Sequence, residues 1–484
     1  MSAAEDATTP LEALFDEVAD IDWSRLEWKA ALRALRRSEV GRAHSPEAAS
    51  DAFVQALQAN SHPSADTFMA TPVTRGDDSL HRAAARAVRV AKTLRALDEH
   101  APDQRCVTTL RNDGGWLRAE PLPRPASPHD GPVPIVFLID GAAWMRAVRP
   151  DDEVSAVREA LADPSRHLIA VDRAAREPTP SPAVVSVSPV PPRFARSFHR
   201  LAWSRGGGPW MGVADCPPVG VVSTCHAAVD GYVHTKVTDG VLAEDARATD
   251  APWRFEPPSQ SLSWRGDRPP EVGFAACVLR PRPRFARALH RFAILLDREM
   301  GAPGTTRSTP LHIPLAPGVA SDDSRWRRRP LYGLFALTKE DADTHESLDA
   351  MAGRLPTWLT REASGRGLLT RTLRATLELP VPPWARRRLI ARRPWMDRAG
   401  AAARILTGGG YLSWMRFERG EAPSVPVHPS AIPSFSSDRG GAGLSITTTE
   451  HGIAAGLTTS GALGNDVDAG RVLRAWTHAL EADD

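Results

Sequence analysis

Hydrophobic residues along this chain follow two spacings, and the places where one gives way to the other outline its elements. Leu11, Leu14, Phe15 and Val18 recur at helical intervals and 23–35 continues in kind, which predicts helices within residues 10–60. Residues 80–99 carry Ala, Val and Leu on one face and predict another helix. Within 105–120, two β-prone runs flank Asn112-Asp113-Gly114-Gly115, a hairpin signal. The apolar run 133–139 predicts a buried strand and 152–161 a helix, while the Pro- and Ser-rich stretches 121–133 and 177–193 are expected as connections. A strand over 218–224 and a helix over 233–242 follow.

Periodicity fades over 245–270, where Pro, Ser, Trp and Arg dominate, so a boundary is expected there. Beyond it come a strand at 271–279, an amphipathic helix at 285–300, a short apolar run at 310–316, a turn-rich stretch at 321–330 and a strand at 331–337. Residues 344–378 read as mainly helical. A hairpin over 443–449 and 452–458, turning at Glu450-His451, and a last helix over 469–480 complete the pattern. Both halves mix helices and strands. They share no sequence repeat, yet they can share an architecture.

Composition narrows the possibilities. A length of 484 residues suits two to three domains. A formal charge of +2 gives no reason to expect nucleic acid as a partner. Cations are almost all arginine, with lysine only at Lys29, Lys92, Lys236 and Lys339. Cys106, Cys216, Cys225 and Cys277 form no C-x-x-C, so neither a zinc site nor a disulfide set is indicated and a reducing cytoplasm is expected. The acidic N-terminus does not read as a secretory signal, and no run approaches a membrane span.

The candidate chemistry lies at the end of the 218–224 run, where His226, Asp230 and Gly231 form H-x-x-x-D-G. A histidine at a strand end can project its imidazole into a cleft and take a proton from an attacking hydroxyl, amine or thiol. Asp230, opening a helical turn, can orient the loop or cap the helix, and Gly231 lets backbones pass closely. Cys225 reads as a small buried residue, because strand alternation sends neighbours to opposite faces. His199, His234 and His451 lack partners at useful spacing and read as surface or packing residues. The glycine runs at 206–208, 408–410 and 440–441 lack the Lys-Ser/Thr of a phosphate loop and read as turns. Segment 382–396 carries five arginines among Trp384, Leu389, Ile390 and Trp395. It reads as a solvated basic helix face, an interfacial patch on anionic lipid, or a docking surface for an acidic carrier protein or CoA phosphates.

A helix, a strand pair with an Asp-Gly turn, a variable stretch, then a strand ending in H-x-x-x-D-G before a helix resembles the N-terminal lobe of CoA-dependent acyltransferases. That superfamily spans chloramphenicol acetyltransferase, condensation domains and wax ester synthase/diacylglycerol acyltransferases. The second half is similar in order to the C-terminal lobe, through the 331–335 strand, Gly410-Tyr-Leu-Ser-Trp414 and the closing hairpin and helix. The resemblance covers roughly residues 65–482. It implies an α/β (α+β) fold of two lobes, each a mixed sheet packed with helices, with the active site in a tunnel between them. The divisions are then a helical extension at 1–64, a first lobe at 65–250, a linker at 251–270 and a second lobe at 271–484.

The function implied is acyl transfer from a CoA or carrier-protein thioester to a hydroxyl or amine, with His226 as general base and no tightly bound cofactor or metal. Asp230 is implied as a positioning residue paired with an arginine, Arg105 being the best placed and Arg111 an alternative. Ser413 is a candidate donor to the oxyanion. Partners implied are the thioester donor, a small-molecule or lipid acceptor and a carrier protein, with no nucleic acid. The location implied is cytoplasmic, with 384–396 offering peripheral contact at the inner membrane face. Departures bear on subfamily and activity: Cys225 stands where many members have a second histidine, and Trp414 follows Ser413 where many have asparagine. The helical N-terminus and the 121–195 stretch look like additions. The alternative is a catalytically inactive binding or assembly protein. An oligomeric dihydrolipoyl-transferase-like enzyme is a third option, although no lipoyl or subunit-binding segment is recognisable.

Overall fold

The computed structural model describes residues 66–73, 78–100, 108–112, 117–121, 131–172, 181–191, 195, 198, 211–225, 231–245, 254–255, 260–261, 271–279, 284–300, 308–309, 311–315, 331–339, 344–363, 410–415, 428–429, 441–449, 452–461 and 468–482. The helices expected within 10–60 lie outside them. The described residues fall into two units, 66–245 and 254–482.

The first unit runs through β1 (Asp66–Pro72), α1 (Ser79–His100), β2 (Thr108–Asn112), β3 (Leu117–Pro121), β4 (Val133–Ile139), β5 (Ala142–Val148), α2 (Val154–Ala162), the one-turn α3 (Pro164–His167), β6 (Ile169–Ala170), β7 (Ala183–Ser186), β8 (Met211–Cys216), β9 (Val219–Cys225) and α4 (Gly231–Leu242). Strands β2 and β3 form the hairpin expected around Asn112. The unit's main sheet has the order β1-β9-β8-β7-β4-β5-β6. Its pairings are antiparallel except β8 with β7 and β7 with β4, so it is a mixed sheet.

Local chemistry accounts for these strands. Residues 135–138 of β4 are all buried, so both faces of the strand are covered and its sequence reads as a continuous apolar run. Asp140 and Gly141 adopt positive φ angles of 48° and 79°, as a tight two-residue hairpin turn requires, and the turn directs β5 back along β4. The 177–193 stretch, expected as a connection, instead contributes β7. Its four residues are fully buried between parallel neighbours that satisfy the backbone on both sides, which its flanking prolines conceal from periodicity.

The second unit runs through β10 (Arg254–Phe255), β11 (Gln260–Ser261), β12 (Glu271–Leu279), α5 (Phe285–Met300), β13 (Leu311–Leu315), β14 (Leu331–Phe335), α6 (Leu348–Ala363), β15 (Gly410–Met415), β16 (His428–Pro429), β17 (Gly441–Thr449), β18 (Gly452–Gly461) and α7 (Ala469–Glu481). Its sheet has the order β10-β12-β18-β17-β15-β13-β14, with β11 also on β12. Here too two neighbouring pairings are parallel, β17 with β15 and β15 with β13. Of the helical stretch expected at 344–378, α6 occupies 348–363; residues 344–347 are not helical, His345 instead forming a β-bridge with Lys339, and 364–378 lie outside the described residues.

The two units have one topology. The path β1-α1-β4-β5-α2-β7-β8-β9-α4 matches β12-α5-β13-β14-α6-β15-β17-β18-α7, and the parallel pairings fall at the same two places. Each helix pair next to the opening strand is fastened through a backbone carbonyl. Arg89 Nε of α1 donates to Val241 O of α4 at 2.7 Å, and Trp476 Nε1 of α7 donates to Ala288 O of α5 at 3.2 Å. The chain is thus an α/β protein of two mixed sheets, each packed with helices.

Packing in the second unit is close where α5 crosses β15. A Cβ on Gly410 would run into the side chains of Leu296 and Leu311, both fully buried in the core with Phe292, Leu412 and Trp476. Gly410→Ala is therefore expected to cost about 1–3 kcal/mol of stability, the usual range for overpacking. Urea denaturation of the variant measures it, and an unchanged midpoint would show that the two leucines yield freely.

Candidate functional site

Strand β9 ends at Cys225 and helix α4 begins at Gly231, so the H-x-x-x-D-G sequence spans a strand-to-helix connection in the expected setting. β9 is an inner strand at this end: Thr224 is in register with Thr67 of β1 on one side and Met211 of β8 on the other. Cys225 is its last residue, opposite Asp66. His226, Asp230 and Arg105 lie outside the described residues, as do His199, His451 and the 384–396 segment. Gly231 is the first residue of α4, and Arg111 lies in β2 opposite Arg118.

The connection is tied at its base by His234. Its side chain, read from the sequence as lacking useful partners, is only 1% exposed and bridges helix to strand. His234 Nε2 lies 2.9 Å from Val222 O and Nδ1 lies 3.1 Å from Thr224 Oγ1. A carbonyl oxygen only accepts, so Nε2 carries the proton, and in the neutral ring Nδ1 accepts from the threonine hydroxyl. The sequence signal was there but faint: a histidine in the first turn of a helix, with a hydroxyl near the end of the preceding strand.

The equivalent connection of the second unit clarifies what is particular to the first. Between β18 and α7 the sequence Ala462-Leu-Gly-Asn-Asp-Val467 contains no histidine. The residue directly before α7 is Asp468, which caps the helix by accepting from Gly470 N at 2.8 Å. Asp230 occupies the same place before α4.

Three arginines of α1 anchor the far end of α4. Arg86, 1% exposed, donates from Nη2 to Asp215 of β8 and from Nε to Asp245, both at 2.6 Å. Arg82 Nε meets Asp215 at 2.7 Å, and Arg89 meets Asp245 and Glu244 at 2.8 Å each. Three guanidiniums thus face three carboxylates, and α1, β8 and the turn after α4 are held as one body. These arginines recur at helical spacing, which in sequence resembles a solvated charged face; their partners come from distant segments. Next to Asp215, burial pushes the Cys216 thiol up to about 12, with the Asp215 charge adding to it, so this cysteine is inert.

Ser413 stands in β15 beside Ser445 of β17. Alternation and register put Ser413, Ser445, Thr447 and Thr458 on one face of the second sheet, opposite the face where Leu412, Leu444, Ile446 and Leu457 join the helices in the core. The hydroxyls of Thr447 and Thr458 are buried without a hydrogen-bond partner among the described residues. That face therefore carries donor capacity the protein leaves unused.

Two buried carboxylates of the second unit, Asp297 and Glu346, are held by structural hydrogen bonds. Burial would raise the Asp297 carboxyl, but hydrogen bonds from Lys339 Nζ (2.6 Å), His345 Nε2 (2.8 Å) and Thr309 N (2.9 Å) outweigh it and hold the group below the usual range. Burial likewise works against the Glu346 charge, and its hydrogen bonds from Arg354 and Thr338 prevail. Glu362 is the exception. Burial pushes it up, Arg361 only partly opposes, and Oε2 has no hydrogen-bond partner among the described residues. The folded chain therefore holds this proton more tightly than the unfolded chain, and stability falls as pH rises from the ordinary carboxylate value through the raised one. Glu362→Met is expected to raise the unfolding midpoint at about pH 7 and to lose that advantage near about pH 4, where the carboxyl is protonated in both states. Thermal unfolding across that range checks it, and a difference that does not vary with pH would refute the assignment.

Among the described residues no group of three or more His, Cys, Asp or Glu side chains could hold a metal ion, and no helix is long and apolar enough to cross a membrane. No protein-family model matches the chain, and no curated protein matches it. The solved structures to which it is similar include condensation domains. One is the starter condensation domain of rhizomide synthetase, at 12% identity, covering 90% of this chain and 95% of that one with a TM-score of 0.35. A mutant of that domain in complex with C8-CoA and Leu-SNAC matches at 12% identity over 90% and 94% of the two chains, TM-score 0.40. The first condensation domain of the calcium-dependent antibiotic synthetase, in complex with a substrate analogue, matches at 11% identity over 89% and 95%, TM-score 0.39. Likeness of this degree assigns neither a substrate nor a residue role to this chain.

Proposed function

We propose that the protein is an acyltransferase in which His226 is the general base. The observation that carries this reading is the placement of H-x-x-x-D-G between an inner strand ending at Cys225 and a helix beginning at Gly231, a connection whose counterpart in the second unit lacks histidine. The imidazole of His226 takes the proton of an acceptor hydroxyl or amine as the acceptor oxygen or nitrogen bonds to the thioester carbonyl carbon. Collapse of the tetrahedral intermediate breaks the C–S bond, and the departing thiolate takes the proton from the imidazolium. The developing oxyanion needs a donor, for which Ser413 is the candidate. Asp230 is a positioning residue, either paired with Arg105 or capping α4 as Asp468 caps α7.

The donor is a thioester of CoA or of a carrier protein, and the product is an ester or an amide. The reading is tested by incubating the full chain with a panel of acyl-CoA thioesters and amine or alcohol acceptors, following free thiol and acylated product. His226-dependent formation of both supports it. Absence of turnover across the panel, with the chain folded, would overturn it in favour of an inactive binding or assembly protein, the reading that Cys225 and Trp414 favour.

A further inference from the structure

We infer that His234 is a positioning residue for the proposed base His226: its imidazole ties the first turn of α4 to the end of β9, the two elements between which H-x-x-x-D-G lies in sequence. The inference rests on the acyl-transfer reading for its kinetic consequence, but the tie itself is a matter of geometry.

The two ends of the connection are not equally constrained. On the strand side, Thr224 is in register with Thr67 and Met211, so the sheet holds it from both sides. On the helix side the first residue is Gly231, whose backbone is the least restricted of any residue. The helix start therefore needs an external fastening. His234 supplies it by reaching back to the Val222 carbonyl and the Thr224 hydroxyl. Thr235 Oγ1 donates to Met69 Sδ of β1 at 3.5 Å in the same turn. The far end of α4 is fixed independently, through Arg89 to Val241 O and to Asp245. Loss of His234 consequently removes the tie to β9 and loosens the first turn, while the Thr235 contact and the far end of the helix keep it docked.

A shift of about 1 Å in a catalytic group can cost roughly 100-fold in rate. His234→Ala in the full chain is accordingly expected to lower kcat for acyl transfer by roughly 10- to 100-fold, with KM for the thioester changed by less than about threefold. Deuterium exchange should accelerate in the amides of 226–233 while α1 and β8 keep their protection. Thr224→Val, which removes the hydroxyl that donates to His234 Nδ1 and keeps the shape, should move both readouts part of the way. His234→Gln, which retains a donor for Val222 O, should recover much of the loss. Unchanged kcat and exchange in His234→Ala would overturn the inference, as would acceleration spread evenly over the unit, which marks a general loss of stability. If His234→Ala does not fold, Thr224→Val takes its place, and unchanged kcat and exchange in that variant would overturn the inference equally. If the wild-type chain transfers no acyl group, the functional reading falls and the exchange pattern alone decides on the tie.

Discussion

Replacing His226 with alanine is expected to reduce acyl transfer by about 10²–10⁴-fold, the usual contribution of a general base, with no change in thermal unfolding. The remaining rate would come from binding donor and acceptor side by side, which a methyl group does not disturb. The loss should fall on kcat and kcat/KM alike, because the proton moves only as the acceptor attacks. In the active chain, kcat/KM should fall on the acid side as the imidazole protonates, and that limb should be absent from the residual activity of the variant. Full turnover in His226→Ala would remove the proposed base outright.

The second large effect concerns stability. Arg86→Met is expected to destabilise the first unit by about 3–5 kcal/mol, the usual consequence of removing one partner from a buried ion pair. Asp215 would keep Arg82 and Asp245 would keep Arg89, and each carboxylate would lose its 2.6 Å partner. Methionine fills similar volume, so the loss would report the interaction rather than a cavity. A domain of this size would shift its melting midpoint by roughly 10 °C. Guanidinium denaturation with unchanged slope would establish it, while a shift below about 1 kcal/mol would mean that the neighbouring arginines take over.

What could be read from the sequence depended on whether an element carried its own signal. Residues 218–224 show a β-branched run after two prolines and before H-x-x-x-D-G, and β9 lies there; 285–300 and 469–480 have apolar stripes wide enough to mark α5 and α7. Strand β5 has little β-branched character, and only the Asp140-Gly141 turn announces it. The arginines of α1 and the imidazole of His234 were not legible as buried groups, because their partners lie elsewhere in the chain and burial is decided by the pairing. The common architecture of the two units was expected through the family resemblance and not from any repeat in sequence, since a strand order is written in hydrogen bonds and not in residue types. The motif itself was legible in its setting. The hydroxyl-bearing face around Ser413 emerged only once register had aligned β15, β17 and β18.

The strand order has a consequence for how the protein is made. In each sheet an early long strand pairs with one synthesised much later: β1 with β9, and β12 with β18. Such distant pairings slow folding, because the chain loses the entropy of a long loop before the contact rewards it. A ribosome would therefore release β12 with the edge that later takes β18 still unpaired along Phe274, Ala275, Ala276 and Cys277, open to strand pairing with other nascent chains. Yield in a cell should then depend more on shielding during synthesis, by chaperones or by slow translation, than on the stability of the finished fold.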